Sequence, residues 1–302
     1  MDGGNRSDGR RRQGSRARPA WALSLLALTG CTPASLLTQV DRITSPNGVR
    51  RVAEGVAYGT EQRQKLDVWA PAKRGSDAAL PVVVFFYGGG WNSGARGDYG
   101  FAGAAYAGKN FVAVVPDYRL VPDVRFPAFV EDGALAVKWA RDNAARFGGD
   151  PARISVAGHS AGAYIGAMIA LDRRFLQGVG VDPGTVRAAA LLSGPYDFHP
   201  FTEPRGRNAF GHWAQPLETQ PVNFARADAP PMFLAHGGND RVVFPRNSRH
   251  LADRLRQAGA PATLRIYPGA SHVDLAAALA GPFRRRLPVL DESAAFLEQQ
   301  SR

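Results

Sequence analysis

Hydrophobic residues along this chain fall into short unbroken runs separated by stretches of helical spacing. The runs are "PVVVFFY" at 81–87, "FVAVVPDYR" at 111–119, "RISVAGHS" at 153–160, "VRAAALLSG" at 186–194, "PPMFLAHG" at 230–237 and "ATLRIYPG" at 262–269. An unbroken run of this length suits a strand covered on both faces, whereas a strand with one wet face alternates. Upstream, "VAEGVAYG" at 52–59 and "QKLDVWAP" at 64–71 mix both patterns and read as an antiparallel pair. Apolar residues recur at helical spacing over 127–148, ending at Gly148 and Gly149, a suitable stop. Further helices are predicted at 161–172, 245–259 and 286–300. Strands alternating with helices predict an α/β fold, an eight-stranded, mostly parallel sheet with helices on both faces. The regularity fails between about 196 and 229, which is rich in proline and aromatics. An irregular stretch that long in a compact domain is usually functional or mobile, and here it is predicted to cover a site.

The first buried run ends in "YGGGWNSG" at 87–94. Glycine costs backbone entropy and packs nothing, so three together imply close approach to the main chain. Neither phosphate-binding pattern is completed: "GGWNSGAR" lacks the Lys-Ser/Thr end of a P-loop, and no G-x-G-x-x-G is present.

"GHSAG" at 158–162 sets Ser160 between a strand and a helix with no intervening loop. Such a turn strains the serine backbone, admits only small neighbours and presents the hydroxyl at the sheet's carboxyl edge. A serine N-cap is the structural alternative. A hydroxyl needs a base to become a nucleophile, so one of the six histidines must be near. His272 follows the last predicted strand and reaches the same edge. His250 belongs to a polar helix face. His159 abuts the serine and is expected to point elsewhere. His236 ends a strand, and His199 and His212 lie in the irregular insert. The imidazole in turn needs an orienting acid. Asp240 in "HGGND" and Asp197 in "GPYDF" are the candidates. Loop position and the chain order Ser160, Asp240, His272 favour Asp240. Attack on a carbonyl builds an oxyanion, and the amides of Gly89, Gly90 and Ala161 are placed to receive it.

Taken together, "YGGGW", "DYRL", "GGDP", "GHSAG", "HGGND" and "GASH" resemble the α/β-hydrolase superfamily over roughly residues 50–300. The resemblance is closest to the carboxylesterase and hormone-sensitive-lipase-like branch, with its feruloyl-esterase-like and kynurenine-formamidase-like members. It implies Ser160 as nucleophile, Asp240 as acid, His272 as base, and Gly89, Gly90 and Ala161 as oxyanion donors. It further implies hydrolysis of a small-molecule acyl ester through an acyl-enzyme, with no metal and no organic cofactor. An arylformamidase or amidase would use the same machinery, and a surface lipoprotein that only binds is the non-enzymatic alternative. The chain leaves the family pattern at Tyr87, where histidine is usual. Asp117 and Arg119 of "DYRL" match structural residues of the family. Trp91 and Trp213 are expected to shape the substrate pocket.

The amino terminus carries a separate signal. "RRRQGSRARPA", then "WALSLLAL", then "LTGC" is the order of a secretory leader, and its end resembles a bacterial lipobox. Cys31, the single cysteine of the chain, would carry the lipid. The expected organisation is a signal peptide over 1–30, a lipid-anchored tether over 31–50 and a catalytic domain over 51–302. It implies export, to the periplasm or cell envelope, and a membrane partner through Cys31. The net charge is +11, but the first thirty residues carry six arginines against two aspartates. No basic helix or basic-aromatic patch stands out in the rest, so no nucleic-acid partner is expected.

Overall fold

The computed structural model describes residues 1–3, 33–44, 48–73 and 78–302. Residues 4–30 of the expected signal peptide, and Cys31, lie outside the described residues. The sheet, the helices and the site all belong to the unit Thr32–Arg302.

In chain order the elements are α1 (Pro33–Thr44), β1 (Val49–Ala57), β2 (Lys65–Pro71), β3 (Leu80–Phe86), α2 (Gly100–Ala107), β4 (Val112–Pro116), α3 (Ala128–Asn143) and β5 (Gly149–His159). Then come α4 (Ala161–Leu171), α5 (Arg173–Gly178), β6 (Val186–Leu192), α6 (Pro204–Phe210), β7 (Met232–Gly237), α7 (Arg246–Gln257), β8 (Ala262–Tyr267), α8 (His272–Ala277) and α9 (Val289–Gln300). The strands form one sheet in the order β1-β2-β4-β3-β5-β6-β7-β8. β1 pairs antiparallel with β2, and β2 antiparallel with β4; every later pairing is parallel. The eight predicted strands are therefore all present, with β2 alone running against the rest.

Residues 82–86 of β3 are completely buried, as are most of β4, β5 and β6, which is why their sequences do not alternate. α3 and α4 pack on each other and on the central strands, while α2 contacts α9 and the strands β2 and β4. Chain reversal after α3 is made by Gly148 at φ 82°, the predicted stop.

Two segments carry more regular structure than their sequence pattern suggests. The segment 31–50, expected to be a tether, contains α1, and that helix docks on the domain. Thr38 donates to the carbonyl of Asp98 at 2.6 Å, and Asp41 accepts from the amide of Gly281 at 2.7 Å. Both side chains are buried, and Leu37 packs against the core. The short polar-apolar pattern "PASLLTQVDRIT" is that of an amphipathic helix with a partner. The insert over 196–229 is likewise not formless. It holds α6 and two single 3₁₀ turns, and its aromatic residues pack inward.

Candidate active site

β5 ends at His159, and α4 begins at Ala161, leaving Ser160 alone to turn the chain. Its backbone sits at φ 55°, ψ −120°, a conformation side-chain-bearing residues rarely adopt. The turn holds because the amide of Ser160 donates to Leu192 and its carbonyl accepts from Tyr164. No side chain fits at Gly162: a methyl built there would lie 2.0 Å from the carbonyl oxygen of Phe86. Helix α4 thus presses directly on the end of β3, which explains why small residues flank the serine. The Ser160 side chain remains partly open to solvent, and its hydroxyl stands beside the positive end of α4.

His272 is the first residue of α8, a helix set by a capping box between Ser271 and Asp274. Its Nε2 lies 2.9 Å from Ser160 Oγ, and its Nδ1 lies 2.7 Å from Asp240 Oδ2. Asp240 follows β7 and is 2% exposed. Its Oδ1 accepts from the amides of Val242 and Val243, both at 2.9 Å. His236 Nε2 approaches Oδ2 at 3.3 Å while also meeting the carbonyl of Val243 at 2.8 Å. Burial by itself would raise the Asp240 carboxyl. Hydrogen bonds from His236 and His272, the charge His272 can carry and the Val243 amide outweigh it and hold the group well below the usual carboxylate range. An ionised Asp240 requires the proton of His272 to sit on Nδ1, so Nε2 faces the serine as an acceptor. The arrangement can take a proton from the Ser160 hydroxyl.

The rival acid is elsewhere. Asp197 pairs with His250 at 2.8 Å on the surface, and its amide and that of Tyr196 donate to Asn247. His212 faces the carbonyl of Phe126 at 2.8 Å, and His199 lies edge-on to Phe201.

The glycine loop stands against the serine. Were Gly88 an alanine, its methyl would lie 3.1 Å from Ser160 Cβ. Gly89 and Gly90 take φ 136° and 60°, and the loop closes as Asn92, Ser93 and the Ser93 hydroxyl donate to the carbonyl of Gly89. Among the described residues, no hydrogen bond uses the amides of Gly89, Gly90 or Ala161. Trp91, at φ 62°, turns its ring away from solvent and is 5% exposed. It stacks between Phe129 and Phe198 and meets Tyr164 and Phe210 edge-on. Trp213 sits a layer further out, edge-on to Phe126 at 5.0 Å, and its indole donates to Glu218. The sequence expectation put both tryptophans at the substrate. Only Trp91 is attached to the glycine loop.

Tyr87, the departure from the family pattern, has a clear local role. Its ring stacks between Tyr99 and Tyr118, and its hydroxyl donates to Asp117 at 3.1 Å while accepting from Arg63 at 2.9 Å. Burial first, and the Asp117 charge second, push the phenol well above its ordinary value, so it stays a neutral donor. Arg63 also donates to the carbonyl of Gly94, and Asp117 pairs with Arg96 and accepts its amide. The far end of the glycine loop is thereby clamped to the core.

Sequence reasoning missed His159. It does not point away from the site: its Nε2–H donates to the carbonyl of His272 at 3.0 Å, and the two rings are 4.8 Å apart. Its fully buried Nδ1 has no partner among the described residues. Burial, then the charge of His272, lower its pKa to about 3 against a hydrogen bond that opposes them. A folded value below the unfolded 6.5 means the unfolded chain takes up a proton that the folded one refuses. Stability is therefore expected to fall from about pH 6.5 toward 3, by about 1.4 kcal/mol per pH unit from this residue. His159→Gln should flatten that part of a plot of Tm against pH; an unchanged slope contradicts the assignment.

A mostly parallel eight-stranded sheet, with a serine at the β5–α4 turn and a histidine and an aspartate brought to it from later loops, is the α/β-hydrolase fold. The chain belongs to the BD-FAE family, whose family model matches residues 66–255. It is 29% identical to the isoprenylcysteine alpha-carbonyl methylesterase ICME of Arabidopsis thaliana over 84% of this chain and 64% of that protein. It is 31% identical to esterase LipC of Mycobacterium tuberculosis over 72% of this chain and 58% of that protein. The chain thus spans about three fifths of the length of these relatives. Among solved structures, the apo form of Thermogutta terrifontis esterase 2 superposes with a TM-score of 0.68 at 26% identity, covering 84% of this chain and 95% of that one. A carbohydrate esterase from gut microbiota, 22% identical with a TM-score of 0.66 over 82% of this chain and 95% of that one, shares the fold.

Proposed function

We propose that this protein is a serine carboxylesterase that hydrolyses small acyl esters through a covalent acyl-enzyme. The observation that carries the reading is the continuous chain Ser160 Oγ, His272 Nε2, His272 Nδ1, Asp240 Oδ2, with links of 2.9 and 2.7 Å, beside unengaged main-chain amides. The names of the relatives, methylesterase and esterase, support the same bond class.

Ser160 Oγ attacks the ester carbonyl carbon as its proton passes to His272 Nε2. The carbonyl oxygen gains the charge and is received by the amides of Ala161 and of Gly89 or Gly90, donors already fixed before the reaction. Collapse of the tetrahedral species breaks the carbon–oxygen bond, and the imidazolium gives its proton to the departing alcohol. Water, deprotonated by His272, then attacks the acyl-serine, and the second collapse returns the proton to Ser160. Asp240 stabilises the imidazolium without taking its proton.

The bond class is tested by kcat/KM on p-nitrophenyl esters of two-, four- and ten-carbon acids, set against N-formyl aryl amides. The ester reading expects turnover of the esters, fastest with the shorter acids, well above that of the amides. Faster formamide hydrolysis would reassign the site to the amidase class.

Export and anchoring are a second proposal, supported by the charged, apolar and "LTGC" order ahead of Cys31. No helix among the described residues is long and apolar enough to cross a membrane. The full chain expressed in a bacterium should enter the detergent phase on partition, with the mass of a diacylglyceryl group on Cys31, and Cys31→Ala should remain in the aqueous phase. An unmodified Cys31 in aqueous protein would overturn it.

A further inference from the structure

The insert brings one cation to the mouth of the site. Helix α6 is anchored from below: Gly206, Ala209 and Phe210 are buried, Phe210 meets Trp91 edge-on at 4.9 Å, and the carbonyl of Ala209 accepts from the amide of Phe126. That anchoring lays the exposed Arg205 across the glycine loop. A methyl built on Gly90 would lie 2.9 Å from Arg205 Cδ and 3.5 Å from its Nε and Nη1. Several other arginines of the domain are engaged: Arg207 by the carbonyls of Phe201 and Thr202, Arg174 by Asp172, Arg119 by Asp132, and Arg96 by Asp67 and Asp117. Among the described residues, Arg205 has no carboxylate, carbonyl or ring partner. A guanidinium offers a planar fork of donors that matches a carboxylate, and its stem here rests on a helix held by the core.

We propose that Arg205 selects ester substrates that carry a carboxylate, binding that group as the ester carbonyl sits on the amides of Gly90 and its neighbours. The inference rests on the esterase reading and names its substrate class. Because Gly90 is both an oxyanion donor and the residue Arg205 covers, an anion a few bonds from the scissile carbonyl falls within reach of the guanidinium. The absence of a side chain at Gly90 is what lets the arginine lie there.

The test uses two matched pairs with the wild-type chain, Arg205→Ala and Arg205→Lys. Monomethyl adipate against dimethyl adipate places the carboxylate on the acyl side; 3-acetoxybenzoate against 3-acetoxybenzamide places it on the leaving group. In at least one pair the anionic member should have kcat/KM about tenfold higher, the scale of one hydrogen bond to a charged group. Arg205→Ala should bring that ratio to about one, Arg205→Lys should restore part of it, and added salt should lower it in the wild type. Equal ratios in wild type and Arg205→Ala would overturn the proposal. So would an equal loss on both members of each pair, which would make Arg205 a structural or oxyanion-stabilising group. Hydrolysis of the neutral members with no selectivity leaves the esterase reading standing and removes only this inference. No hydrolysis of any member by the wild type removes both.

Discussion

Ser160→Ala is expected to lower kcat/KM for p-nitrophenyl butyrate by about 10⁴- to 10⁶-fold, the range seen when a catalytic serine is removed and only binding and oxyanion stabilisation remain. Protein yield and Tm should hardly change. Among the described residues the hydroxyl makes a single hydrogen bond, to His272, whereas the turn itself is secured by the main-chain bonds to Leu192 and Tyr164, which alanine retains. Alanine is also small enough for a turn in which α4 presses on the end of β3. A variant that loses activity because it unfolds would show it in Tm, so the two causes separate in one preparation. Turnover near the wild-type rate from a folded variant would remove Ser160 from the chemistry.

Asp240→Asn should cost about 10⁴-fold in kcat, through the tautomer of His272 rather than through geometry. Both carboxylate oxygens act only as acceptors here: Oδ1 from two amides, Oδ2 from His272 and His236. An asparagine must therefore turn its amide donor toward another donor. If it faces His272, the ring proton moves to Nε2, and the base can no longer accept from Ser160. If it faces Val242 and Val243, the loop loses both bonds, and Tm falls as well. Stability carries a second signature. The Asp240 value is depressed on folding, so its contribution is present above the ordinary carboxylate pKa near 4 and is lost as pH falls through the folded value. The asparagine variant should lack that strongly acidic component. Asp197→Asn, which alters a surface pair with His250, should leave kcat within about twofold, as surface substitutions away from the machinery usually do. Equal losses from both variants would reopen the choice of acid.

What could be read from the sequence was what the chain specifies locally. The run "VVVFF" suits a strand buried on both faces, and "GHSAG" places a serine where strand meets helix. Asp240 and His272 were within reach because each follows the end of a strand, and in a parallel sheet all such ends meet at one edge. What escaped depends on tertiary contacts. His159 looked idle because nothing in its neighbourhood says that the carbonyl of His272, 113 residues later, will lie against its ring. Arg205 sits in a stretch with no period, and only the burial of Phe210 and Ala209 sets which way its helix faces. The docking of α1 was not legible because amphipathicity over twelve residues shows a face without showing what covers it. Tyr87 was visible as an odd residue. Its place as a clamp became readable only once Arg63, Asp117 and Tyr118 were brought around it.

The most direct measurement of the covalent serine mechanism is reaction of the folded wild-type protein with a fluorophosphonate, followed by mass analysis of the peptides. The expected result is one phosphonyl adduct, on Ser160, formed at the rate at which ester hydrolysis is lost, with none on Ser160→Ala or on denatured protein. Full ester hydrolysis by a protein whose Ser160 stays unmodified would contradict the mechanism.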